Sequence, residues 1–133
     1  MTPMRSRHVS IVIPASARQV YDYAADPDNL PRWAAGLAAG VRRDGDVLVT
    51  DSPMGEVVVR FAPDNPYGIL DHDVTLPDGE VVANPLRVID HPDGAEVVFT
   101  VRQRDLTDDQ FDADCAAVER DLQALHDAVI APS

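Results

Sequence analysis

The sequence is short of the residues and motifs that usually announce a chemistry. Its one cysteine, Cys115, rules out an internal disulfide and a paired-cysteine redox motif. It has no lysine, so all 11 basic residues are arginines, and 23 acidic residues leave a formal net charge of -12. Long-range electrostatics of that sign repel phosphate backbones and anionic membrane surfaces, so nucleic acid is not an expected partner. There is no long apolar run and no charged-then-apolar amino terminus. Stable membrane insertion and secretion are therefore not expected, and the cytoplasm is the simplest location. A phosphate-binding glycine loop and a nucleophile elbow are missing as well, and no cofactor is expected.

A metal is not expected either. Asp71-His72-Asp73 has the composition of a ligand cluster, but strand alternation sends His72 away from its two neighbours. His8, His91 and His126 show no ligand spacing.

What the chain does have is an ordered change of hydrophobic period. At 133 residues it is long enough for one domain with a real core, and no second composition block divides residues 1–133. In residues 9–33, Ile11 and Ile13 alternate as in a partly buried strand, and Pro14 stops the pairing. Ser16 and Gln19 have capping-box spacing for a helix bearing Val20, Tyr21 and Ala24 on one face. Asp26-Pro27 ends that helix, and Asp28-Asn29 is placed to cap a short second one carrying Leu30, Trp33 and Leu37.

Turn signals then recur at short intervals, from Asp44-Gly45-Asp46 to His91-Pro92-Asp93-Gly94. Between them, segments 47–50, 56–62, 68–76, 80–89 and 95–104 are rich in valine and isoleucine, and a short strand at 41–43 completes an antiparallel meander. Pro85 marks a bulge or an edge in segment 80–89, because it cannot donate to a ladder. The last segment returns to the helical period through Phe111, Cys115, Val118, Leu122, Leu125 and Val129, with Thr107 and Gln110 at capping-box spacing.

The predicted architecture is α+β: a curved antiparallel sheet of about seven strands wrapped around a long carboxy-terminal helix, with two short helices after the first strand. This order of elements, with Ile13-Pro14-Ala15, Val20-Tyr21, Asp26-Pro27 and Asn29-Leu30-Pro31-Arg32-Trp33, resembles the START/SRPBCC superfamily, the helix-grip group that includes polyketide cyclases and plant pollen-allergen proteins. The resemblance implies a cavity between sheet and helix that takes lipids, hormones, polyketides or other apolar molecules.

His72 shares the apolar phase of Leu70, Val74 and Leu76, and so is the polar exception on a predicted inner face. There it could orient a ligand, act as a general base, or serve as a hydrogen-bonded core histidine. Asn84 and Arg87 lie beside the Pro85 bulge, where Asn84 could bind a carbonyl and Arg87 a carboxylate or enolate; a solvent-facing arginine is an equal reading. Gln103 either adds an inward polar group or ends its strand. Trp33 either covers the cavity mouth or anchors its helix to the sheet. Cys115, on the helical apolar stripe, reads as a buried inert thiol.

The leading expectation is a protein that binds an apolar or aromatic small molecule, lipid-like or polyketide-like, between residues such as Trp33, Val57, Val59, Phe61, Leu70, Val74, Phe99, Phe111, Val118 and Leu122, oriented by His72, Asn84 and Arg87. The alternatives are an aromatase/cyclase-like enzyme with His72 as acid/base and Asn84 or Arg87 stabilising an enolate, and a protein-interaction module. A homodimer is open on this reading.

Overall fold

The computed structural model describes residues 2–37, 40–53 and 55–132. The chain begins with β1 (Ser6–Ile13), followed by α1 (Ala17–Ala25), a 3-10 turn (Pro27–Asn29), α2 (Leu30–Trp33) and a second 3-10 turn (Ala35–Leu37). Next come β2 (Arg42–Asp44), β3 (Val47–Ser52), β4 (Gly55–Phe61), β5 (His72–Thr75), β6 (Val81–Asn84), β7 (Leu86–His91), β8 (Gly94–Arg102) and the long α3 (Asp108–Ile130). All strand pairings are antiparallel, in one sheet of order β1-β8-β7 and another of order β2-β3-β4-β5-β6.

Local chemistry sets the helix starts. Ser16 Oγ accepts from the Gln19 N–H at 3.1 Å, and a full capping box joins Thr107 and Gln110 in front of α3. Asp108 and Asp109 add negative charge where the helix dipole favours it. The short second helix is organised differently from the expectation: Asp26, not Asp28-Asn29, supplies the capping carboxylate, accepting from the Asp28 N–H, and Asn29 makes no side-chain cap. Pro27 sits just inside the resulting 3-10 turn, where its missing N–H costs nothing.

Residues 80–89 form two strands instead of one, and Pro85 is the reason. Ile69 bridges Arg87 and His72 pairs with Asn84 in a single antiparallel register, so the two sheets are continuous through this region except where proline interrupts the ladder. Gly68, at φ +75, permits the close approach: a Cβ there would overlap the carbonyl oxygen of Val88. Past the interruption, β7 keeps the bridge to Ile69 on one edge and pairs with β8 on the other, where Leu86 faces Phe99.

The core gathers Ile13, Val20, Leu30, Leu86, Val97, Phe111, Cys115, Leu122 and Leu125, all shielded from solvent. Cys115 is a free, buried thiol. α3 packs on β1 and β8 and is flanked by α1 and α2. Among the described residues, no helix is long and apolar enough to cross a membrane.

Candidate functional site

α3 does not fill the concave side of the five-stranded sheet. A cavity of about 300 Å³ lies between β3, β4 and β5 on one side and α2, the following turn and the middle of α3 on the other. Its apolar wall includes Trp33, Val57, Val59, Phe61, Val74, Phe99 and Val118. Alternation along β4 and β5 turns Val57, Val59, Phe61 and Val74 inward, while Arg60 and Asp73 point out. The polar residues of its lining are few: Thr50, His72 and Asp121. Thr50 is already committed, donating to the Gly40 carbonyl at 2.9 Å.

His72 is held by the break at Pro85. In the common register Leu70 faces Leu86, and Leu70 N–H donates to the Leu86 carbonyl at 2.8 Å. The return donor is diverted, since Leu86 N–H donates instead to Asp71 Oδ1 at 2.9 Å. The Leu70 carbonyl is met by His72 Nδ1 at 3.0 Å. A carbonyl only accepts, so Nδ1 carries the hydrogen and Nε2 of the neutral ring presents a lone pair. The ring stacks on Phe61, its cross-strand partner, at 4.7 Å between centroids, and meets Phe99 edge-on at 5.8 Å. Burial pushes the His72 pKa below its ordinary value, against the opposing pull of the Leu70 carbonyl and of Asp71 and Asp73. The imidazole is accordingly neutral at physiological pH, with Nε2 uncommitted to any described residue.

The expected site residues divide. Trp33, Phe61, His72, Val74, Phe99 and Val118 line the cavity, as do Val57 and Val59. Leu70 and Leu122 are buried in the packed core and do not reach the wall. Phe111 is also buried elsewhere, at the start of α3 beneath the guanidinium groups of Arg5 and Arg7. Arg87 faces outward, with Nε and a terminal nitrogen donating to Asp71 at 2.8 and 2.7 Å. That pairing holds the Asp71 carboxyl below the usual carboxylate range. Asn84 stands next to His72 in the β-ladder but lines a neighbouring opening, of which Phe61 and His72 form the shared wall. Gln103 ends its strand, donating to the Leu106 carbonyl and to Asp108.

Asp121 is the residue that sequence reasoning missed. It stands three residues after Val118 and four before Leu125, so helical spacing places a lone carboxyl at the edge of the apolar stripe. One of its oxygens accepts from the Ala35 N–H at 3.2 Å, tying α3 to the turn behind Trp33. Burial pushes its pKa up. Trp33 itself is 5 % exposed, and its Nε1–H is the buried side-chain polar group without a partner among the described residues.

A larger groove, about 1100 Å³, runs outside the fold between α1 and the β2–β4 region. Its walls mix Arg18, Arg43 and Arg60 with Asp22, Asp46 and Asp64, and it lacks the mainly apolar lining of the inner cavity.

Comparison with solved structures supports this architecture. An uncharacterised protein from Bacillus thuringiensis superposes with a TM-score of 0.75 at 16% identity, covering 95% of this chain and 99% of that one. DynU16, encoded in the dynemicin biosynthetic locus, gives 0.75 at 13% identity over 97% of this chain and 48% of its own. Ara h 8.0201 gives 0.70 at 11% identity over 98% and 100%. At these identities the likeness is one of fold. No curated protein sequence matches the chain. The model of the family described as polyketide cyclase / dehydrase and lipid transport matches residues 4–131, and the chain belongs to that family.

Proposed function

We propose that this protein binds an apolar or aromatic small molecule, lipid-like or polyketide-like, in the cavity between the five-stranded sheet and α3. The observation that carries the reading is the cavity itself: a space of about 300 Å³ with an apolar wall and a small set of polar residues. That is the usual composition of a small-molecule site, at the lower end of the usual size range. Family membership favours the same reading.

The test is a fluorescence titration with 1-aminonaphthalene, uncharged at neutral pH, against the native protein and Val118→Phe. The substitution adds a ring where Val118 borders the void. Saturable enhancement with the native protein, lost in a Val118→Phe protein that keeps its circular dichroism and melting temperature, supports the reading. Equal binding by the filled variant overturns it.

The cyclase-like alternative keeps one of its parts. His72 offers Nε2 as a base beside the cavity, while the engagement of Arg87 with Asp71 on the outer face and the place of Asn84 on a neighbouring opening both count against either residue as the stabiliser of an enolate inside.

A further inference from the structure

Among the described residues, Phe61 alone lines both the inner cavity and the large outer groove. The rest of the boundary is closed. Leu48 and Val59 face each other in the β3–β4 ladder, Leu48 on the groove and Val59 on the cavity, and both are buried. Tyr21 borders the groove and Leu30 the cavity, and both belong to the packed core. Phe61 is only partly buried, and strand alternation sets it on the same concave side as Val57 and Val59.

The sheet holds its ring on one flank only. Toward β5, Phe61 pairs with His72 and stacks on it at 4.7 Å between ring centroids. Toward β3, the last pair of the ladder at this end is Leu48 with Val59, so Phe61 lies past the end of that strand. The turn residues Gly45 and Asp46 take the place of a paired neighbour there, and both line the groove. A ring with a neighbour on one flank and open groove on the other can change rotamer without breaking strand pairs. The opening beside Asn84 offers no such path. Arg60, Asp73 and Ala83, which line it, form one cross-strand row on the outer face, so the backbone of β4, β5 and β6 stands between it and the cavity.

We propose that Phe61 is the gate of the cavity: small molecules enter from the outer groove when its ring turns off His72 toward the Gly45-Asp46 turn, and are retained when it returns. The proposal rests on the small-molecule reading above and adds to it the route of entry and the part that moves.

Stopped-flow fluorescence with 1-aminonaphthalene tests it on the intact chain. Where a gate limits entry, removing it speeds binding, so Phe61→Ala should raise the association rate constant at least about fivefold; loss of a wall contact alone would raise only the dissociation rate. Asp46→Trp sets a ring in the groove beside Phe61. It should slow association and dissociation together by at least about fivefold and leave Kd within about twofold of native, because it obstructs the path and not the site. Asp46 is an exposed turn residue, so this variant decides the question even where Phe61→Ala fails to fold. If the native protein binds the probe but Phe61→Ala associates no faster, or Asp46→Trp no slower, entry is by another mouth: the gate is overturned and the cavity reading stands. If the native protein does not bind the probe, or Val118→Phe binds it equally, both fall together.

Discussion

The two sheets meet the long helix in opposite ways. β1 and β8 of the three-stranded sheet pack directly on α3, and Phe111, Cys115, Leu122 and Leu125 are closed off almost completely. The five-stranded sheet faces Val118 and Asp121 of the same helix across a void. The polar chemistry divides with it. At the packed end, arginines cover the helix start from outside: Arg5 and Arg7 lie over the Phe111 ring and pair with Asp108 and Asp112. At the open end, Trp33, His72 and Asp121 stand on the cavity wall. One amphipathic helix thus anchors the fold along part of its stripe and roofs a cavity along another. Close packing stabilises the first region, and the second gives up part of that packing to keep space.

This contrast is most easily broken by truncations on the two sides. Phe111→Ala removes a fully buried ring and should cost about 3–5 kcal/mol. Val118→Ala removes two methyl groups that already border empty space and should cost about 1 kcal/mol. Urea denaturation of the two variants measures both. A loss for Val118→Ala of about 2 kcal/mol or more, as for two methyl groups deleted from a packed site, would mean that the open side is as tightly packed as the closed one.

The division was only half legible in the sequence. Period and punctuation gave the elements, because Ser16, Thr107 and Pro14 act within a turn or two of the chain and tertiary packing did not override them. The outward direction of Arg87 follows from strand alternation once Leu86 and Val88 are taken as the inner pair, but Pro85 obscured that phase. Phe111 carries the same helical signal as Val118, and only the placement of the sheets makes one a plug and the other a wall. Asp121 was hidden because a periodicity reading collects apolar residues and passes over a single acid between them. The unmet Trp33 N–H has no sequence signature, since satisfaction is a property of three-dimensional neighbours.

A smaller effect is expected where the two sheets join. Asp71 accepts from Leu86 N–H and twice from Arg87, repairing the ladder beside Pro85. Asp71→Ala leaves the Leu86 N–H without its acceptor and should cost about 1–2 kcal/mol, with the solvent exposure of the Arg87 pair keeping the loss at the low end. Asp71→Asn keeps an acceptor for Leu86 but no charge for Arg87, and should recover part of the loss. Hydrogen exchange at Leu86 should accelerate in the alanine variant; unchanged protection there would show that the carboxylate is not what closes the gap.

The finest test concerns the pH response of the open side. His72 has a folded-state pKa depressed by burial, below the value of about 6.5 expected in the unfolded chain. As pH falls past that unfolded value, the unfolded chain takes up the proton first, so the His72 contribution grows more unfavourable to folding until pH drops below the folded pKa, where it levels off at its full size. Above the unfolded pKa both states are neutral, and the group adds no pH dependence. His72→Phe removes the titration along with the Nδ1 hydrogen bond to the Leu70 carbonyl. The lost bond gives an offset that is constant above about pH 7, where the ring is neutral in both states. Titration appears as a change in the melting-temperature gap between pH 7.5 and pH 5, moving in favour of the variant as the solution is acidified. A gap that stays flat across this range would mean that His72 can be protonated in the folded protein without penalty, and would remove the neutral imidazole from the cavity wall.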